Sequence, residues 1–183
     1  QLSSNRGISD GLRPHDPPKR TPIEVEKNPQ IPGLPAGVKV DRIEWITSRR
    51  VAVFINSPSM PQEPIQVQIL LARDWHSNPS AKFPEVWALD GLRARDDENG
   101  WTIETNIEQF YADKNVNVVL PTGGKGTFYT DWQKKDAALG KPMWETFLTK
   151  ELPPLIDDRF DGNGRNAVIG LSMGGQAAFS LAI

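Results

Sequence analysis

The 183 residues are 38% hydrophobic and 24% charged with a formal net charge of −2, enough chain for one domain with a sizeable core and no electrostatic footprint for nucleic acid. The absence of cysteine excludes disulfides, thiolate metal sites and a Cys nucleophile. No uninterrupted apolar run reaches the roughly 18 residues that a bilayer-crossing helix needs.

The chain opens at Gln1 rather than Met, which fits either a cleaved secretory signal or an internal start. Seven of the sixteen prolines fall in the first 36 residues, among mixed charges and few aliphatic side chains. Such a segment buries little apolar surface, so residues 1–37 read as an extended or partly ordered arm. The pattern then changes. VKVDRIEWI, RVAVFINS and PIQVQILLA are β-rich runs with partial alternation and predict three consecutive strands. PEVWALD (84–90) predicts a short apolar strand ending in an acid and a glycine. In IETNIEQFYAD, the positions of Ile103, Ile107 and Phe110/Tyr111 have helical spacing.

VNVVLP (116–121) reads as another buried strand, and TGGKGTFYTDW after it as loop. WETFLTKELPPLIDDRF places Trp144, Phe147, Leu148, Leu152, Leu155 and Ile156 on one helical face. Pro153 and Pro154 are expected to kink or restart that helix. NAVIG (166–170) is a strand, and GGQAAFSLAI (174–183) reads as the start of a helix. Strands that first run consecutively and then alternate with helices predict an α/β fold, its sheet antiparallel at the start and mostly parallel after.

Gly170-Leu171-Ser172-Met173-Gly174 fits the G-x-S-x-G elbow, with a strand before it and small residues after it. The glycines let strand and helix backbones pass closely around a strained serine. The helix that starts there aims its N–H groups and dipole at a developing oxyanion. Ser172 is therefore the candidate nucleophile, against the alternative of a glycine-rich structural turn. The amide of Met173 is one expected oxyanion donor, and the second belongs to the loop after the earlier strand, Asp90-Gly91-Leu92-Arg93. Asp90 alone reads equally as a helix cap or turn aspartate. Only His15 and His76 exist, in the arm and in RDWHSNPS, and both read as solvated loop residues rather than as a triad base. No carboxylate or histidine cluster has metal-ligand spacing.

Five blocks in order carry a family resemblance: SPSM (57–60), LDGLRARDDENGW (89–101), FYTDW (128–132), WETFLTKELP (144–153) and IGLSMGG (169–175). Together they resemble the mycolyltransferases of the antigen 85 group, and more particularly their corynebacterial relatives, from about Asp41 to Ile183. The resemblance implies an α/β-hydrolase fold, with residues 38–183 forming the N-terminal portion of its catalytic domain. It implies a secreted, cofactor-free acyltransferase of the cell envelope. Such an enzyme moves a mycolyl (corynomycolyl) chain from trehalose monomycolate to a second trehalose monomycolate or to arabinogalactan through a serine acyl-enzyme.

Carried over residue by residue, the resemblance makes Ser172 the nucleophile, Leu92 and Met173 the oxyanion-hole amides, and Asp90 and Arg93 the holders of trehalose hydroxyls. A carboxylate and a guanidinium suit that role, since both give charge-assisted hydrogen bonds. Trp101 and Trp132 either line the sugar or acyl path or pack in the core. The sequence departs from the family at the missing disulfide before WETF, at Glu104 in place of a sugar-site asparagine, and at Gly174 in place of an alanine. The triad acid and histidine, which follow the serine in this fold, have no counterpart in residues 173–183. The expectation is that the remainder of the catalytic domain supplies them, and that the 183 residues alone are inactive. Two other readings share the motif: a carboxylesterase, and a non-catalytic module that binds carbohydrate or matrix.

Overall fold

A computed structural model describes residues 21–60, 64–89, 98–122 and 143–170. Its centre is one seven-stranded sheet in the order β1-β2-β3-β4-β6-β5-β7. The strands are β1 (Glu24–Lys27), β2 (Lys39–Thr47), β3 (Arg50–Asn56), β4 (Ile65–Leu70), β5 (Phe83–Leu89), β6 (Asn117–Pro121) and β7 (Gly162–Gly170). The first four run antiparallel to their neighbours, and β4 also meets β6 antiparallel. β5 is parallel to both β6 and β7. The mixed, then parallel, sheet expected from the order of patterns is therefore present, and each expected strand lies where its apolar run lies.

β1 comes from the proline-rich arm. Its sequence EVEK has no buried face, and it holds the edge of the sheet through the backbone ladder to β2. Trp45 Nε1 adds a bond to Glu26 Oε1 at 3.1 Å, and Arg159 Nη2 donates to the same oxygen at 2.8 Å.

Two short helices, α1 (Gly100–Glu104) and α2 (Ile107–Tyr111), cover one face of the sheet. The periodicity of residues 103–113 suggested a single helix, but the chain breaks at Thr105, whose extended backbone (φ −129°, ψ 169°) ends α1. Ile107 is buried there with Leu70, Ala88, Val118 and Leu120, while Phe110 faces solvent. The opposite face is covered by α3 (Trp144–Thr146), a π-helical stretch (Phe147–Glu151) and α4 (Leu152–Arg159), which run on without a gap. Leu152 donates its N–H back to Phe147 O across the widened turn. Pro153 and Pro154 then begin α4, where a missing N–H costs least. The expected restart is thus a π-bulge.

Trp144, Phe147, Leu148, Leu152, Leu155 and Ile156 are all buried, as their spacing predicts, against β2, β3, β4, Trp87, Leu89 and Val119. Between this helix and β7 lies a pocket of about 210 Å³ walled by Trp87, Leu89, Leu148, Thr149, Pro153, Asn166 and Val168. Among the described residues, no helix is long and apolar enough to cross a membrane.

Candidate active site

The parallel strands β6, β5 and β7 bring their carboxyl ends to one edge of the sheet, and Leu89 and Gly170, which end β5 and β7, are register partners. In open α/β sheets that edge is where ligands bind. The residues expected to carry chemistry follow it directly in sequence: Asp90, Leu92 and Arg93 after β5, and Ser172 and Met173 after β7. All five lie outside the described residues, as do Trp132 and His15. What the structure describes is the scaffold from which both segments leave, on adjacent strands.

That scaffold is held by a buried amide. Asn99 is 0% exposed. Its Nδ2 donates to Ala88 O on β5 at 3.0 Å and to Pro121 O on β6 at 2.8 Å. Its Oδ1 accepts from Trp101 N at 2.9 Å, which caps the start of α1. One side chain thus ties two strand ends and a helix start together. Trp101 completes the tie: its indole N–H donates to Leu89 O at 2.9 Å, and the ring packs beside Ile107 and Ala88. Half-buried Trp101 thus packs on the sheet, as one of its two expected roles requires.

Behind Asn99 stands a buried ion pair. Arg50, 1% exposed, reaches Glu98 Oε1 at 2.7 Å and donates twice to Gln68 Oε1, at 2.9 and 2.6 Å. A weaker contact runs to Glu108 at 3.2 Å, and Thr102 Oγ1 also donates to Glu98, at 2.9 Å. A buried guanidinium is tolerated only when its donors are used, and here they hold Glu98. Leu89 and Glu98, the described residues on either side of 90–97, are thus both tied into the scaffold.

The turn after β3 lies at the same edge, because Ile55 pairs with Ile65 at the near end of β4. Ser57 Oγ donates to Glu151 of the π-helical stretch at 2.8 Å and accepts from Ser59 N at 3.0 Å. Ser59 O in turn accepts from Met143 N at 2.9 Å. The SPSM block thus anchors the covering helix through the Ser57 hydroxyl and the Ser59 backbone. His76 sits at the opposite edge, in the turn after β4, where its ring meets Trp45, Trp75 and Ser48 O. That is the solvated loop position expected of it.

Asn99, Arg50 and Glu98 escaped the sequence reading as functional scaffold. An Asn before Gly-Trp is a capping signal, but its second duty to two strand ends has no local signature. Among the described residues, no group of three His, Cys, Asp or Glu side chains could hold a metal ion.

Comparison with known proteins agrees with this architecture. The Esterase family model matches residues 57–183. The Ag85A diacylglycerol acyltransferase/mycolyltransferase of Mycobacterium leprae is 40% identical over 136 residues, covering 70% of this chain and 38% of that protein. Its Ag85B counterpart from Mycolicibacterium smegmatis is 48% identical over 101 residues, 53% of this chain and 31% of that protein. The crystal structure of Mycobacterium tuberculosis MPT51 superposes with a TM-score of 0.55 at 30% identity, covering 70% of this chain and 43% of that one. The chain therefore spans less than half the length of each of these relatives. The antigen 85 resemblance read from five sequence blocks holds against them.

Proposed function

We propose that the chain, which belongs to the Esterase family, carries the nucleophile half of a serine acyltransferase of the antigen 85 type, with Ser172 as the attacking residue. The observation that supports it most directly is the pairing of Leu89 with Gly170. It starts the G-L-S-M-G segment and the D-G-L-R segment from neighbouring carboxyl ends, the arrangement an elbow serine and its second oxyanion donor require. The curated relatives, named as acyltransferases, supply the reaction class.

In this reading Ser172 Oγ attacks the ester carbonyl of a mycolyl (corynomycolyl) donor, trehalose monomycolate, as its proton passes to a general base. The amides of Leu92 and Met173 hold the oxyanion, a term worth about 2.7–4 kcal/mol per donor. The trehalose oxygen leaves with a proton and the acyl chain stays on Ser172. A hydroxyl of a second trehalose monomycolate, or of arabinogalactan, then attacks that ester and restores the serine. Asp90 and Arg93 orient the sugar by charge-assisted hydrogen bonds. His76 is not the base, since it sits at the wrong edge of the sheet. The base and its acid partner belong to the remainder of the catalytic domain. No cofactor is needed for this chemistry, and its site of action is the cell envelope, outside the membrane.

The test uses the full-length protein, a fluorophosphonate probe and a trehalose ester donor. One adduct mapped to Ser172, with acyl transfer that rises with added trehalose, supports the proposal. Product formation by water alone, unaffected by trehalose, would leave a carboxylesterase, which the family match also accommodates. An unlabelled Ser172 would leave a binding module.

A further inference from the structure

At the amino end of β5, away from the candidate site, the sheet buries an acid that the proposed reaction does not use. Glu85 is 1% exposed and lies on the same side of the strand as Trp87 and Leu89, facing α4. There the half-buried Asp157 confronts it. Neither oxygen of Glu85, nor Oδ1 of Asp157, has a hydrogen-bond partner among the described residues. Both carboxylates converge on Gly162, the first residue of β7. A Cβ at that position would lie 1.6 Å from Glu85 Oε1 and 2.3 Å from Asp157 Oδ1.

Two carboxylates buried against each other cannot both stay ionised without a countercharge. The neighbouring cations are engaged elsewhere, Lys82 with Asp161 at 3.1 Å and Arg159 with Glu26 at 2.8 Å. The flanking strands offer only amides with other partners. Asn117 of β6 donates to Phe160 O, and Asn166 of β7 accepts from the Trp87 indole. The adjacent Asp158 on α4 faces solvent. The smallest species that can bridge the two carboxyl groups in so close a space, joining an oxygen of Glu85 to Oδ1 of Asp157, is a proton.

We propose that Glu85 and Asp157 share one proton, and that the resulting O–H···O bond is a latch that fastens α4 to β5 and β7 and opens as the medium turns alkaline. The latch sits at the root of β7, since α4 leads into that strand through Phe160 and Asp161 alone. Burial first, and then the facing Asp157, push the Glu85 carboxyl from its ordinary 4.5 up to about 8, with the Trp87 indole a small opposing influence. The folded state thus holds this proton more tightly than the unfolded chain. The stabilisation is complete below about pH 4.5, declines as pH rises, and is gone above about 8. Across that window the folding constant falls by up to tenfold per pH unit, the limit for one proton. None of this depends on the acyltransfer reading.

The experiment is urea unfolding of the full-length protein from pH 5 to 9, wild type against Glu85→Gln. The glutamine keeps the shape and donates an N–H to Asp157, but has no proton to lose. The wild-type folding constant is expected to fall by several tenfold steps over this range, while that of E85Q holds nearly level. Infrared spectra should show a protonated carboxylic C=O band at neutral pH that fades above about pH 8 and is missing from E85Q. Asp157→Asn provides the same comparison should E85Q fail to fold. Parallel pH profiles, or no acid band at neutral pH, would overturn the latch. So would stabilisation of wild type, but not E85Q, by Ca²⁺ or Mg²⁺, which would make the pair a cation site.

Discussion

Replacing Asn99 by alanine removes, in one step, the amide that ties the carboxyl ends of β5 and β6 to the start of α1, and leaves only the Trp101 indole bond to Leu89 O. Three hydrogen bonds of 2.8–3.0 Å vanish from a site with no access to water. Loss of the cap costs about 1 kcal/mol. The carbonyls of Ala88 and Pro121 each lose a buried donor, at about 1–3 kcal/mol apiece. The expected destabilisation is therefore about 3–7 kcal/mol, a large share of the 5–15 kcal/mol that hold a typical domain together. Urea unfolding measures it, with Asn106→Ala as the control. Asn106 precedes α2 but makes no side-chain cap bond, so its loss should cost less than about 0.5 kcal/mol. If Asn99→Ala costs no more than the control, the amide is not the tie described above. Activity supplies a second reading. If residues 90–97 depend on this tie, a folded Asn99 variant should lose kcat more than it raises KM, because oxyanion donors act in the transition state.

Arg50→Ala should cost about 3–5 kcal/mol, since it strands Glu98 as a buried, uncompensated charge, whereas Arg50→Met with Glu98→Leu should recover most of that loss. Thermal or urea unfolding of the pair of variants decides between a net stabilising ion pair and one that is merely required once half of it exists. Gly162→Ala should be destabilised by at least about 2 kcal/mol, because its new methyl collides with both carboxylates. Adding Glu85→Ala to that variant opens the space, so the double variant should be more stable than Gly162→Ala alone. An unchanged or worsened double variant would mean that the clash is not with Glu85.

The strands were legible because their apolar runs are also their buried runs. Val51 to Ile55, Ile65 to Leu71 and Val118 to Leu120 need only hydrophobic periodicity to be found. The long covering helix was legible for the same reason, and its prolines marked where it restarts, though not that the restart is a π-bulge. What periodicity does not carry is a polar group buried by partners distant in sequence. Arg50 opens a strand like any surface arginine until Gln68 and Glu98, 18 and 48 residues on, converge on it. Glu85 inside PEVWALD alternates onto the face of Trp87 and Leu89, but nothing local to the strand reveals that Asp157 confronts it from α4. β1 left no trace in its sequence, since EVEK is held by ladder bonds and Trp45 rather than by an apolar face. For the candidate site, the order of motifs located the segments, and the register of β5 with β7 brought their starting points side by side. Periodicity alone could not give that adjacency, because strands consecutive in sequence need not be neighbours in the sheet.

β5 is thus held by different chemistry at its two ends, which makes the two ends separable by experiment. At the carboxyl end, neutral amide bonds from Asn99 fix Ala88, and no proton enters or leaves that tie. At the amino end, Glu85 and Asp157 hold the strand to α4 only while a proton remains between them. Three residues of strand separate Glu85 from Ala88, roughly 10 Å at 3.3 Å per residue, and the two networks share no partner. Perturbations at such distances usually add to within about 0.3–0.5 kcal/mol. Asn99→Ala should therefore lower stability by the same amount at pH 5 and at pH 9, in wild type and in Glu85→Gln alike. A loss that grows with pH in the wild-type background, and not in Glu85→Gln, would show the two ends coupled through the strand. In that event, opening the latch would loosen the carboxyl edge itself, and alkaline medium would act on the candidate site from the far end of β5.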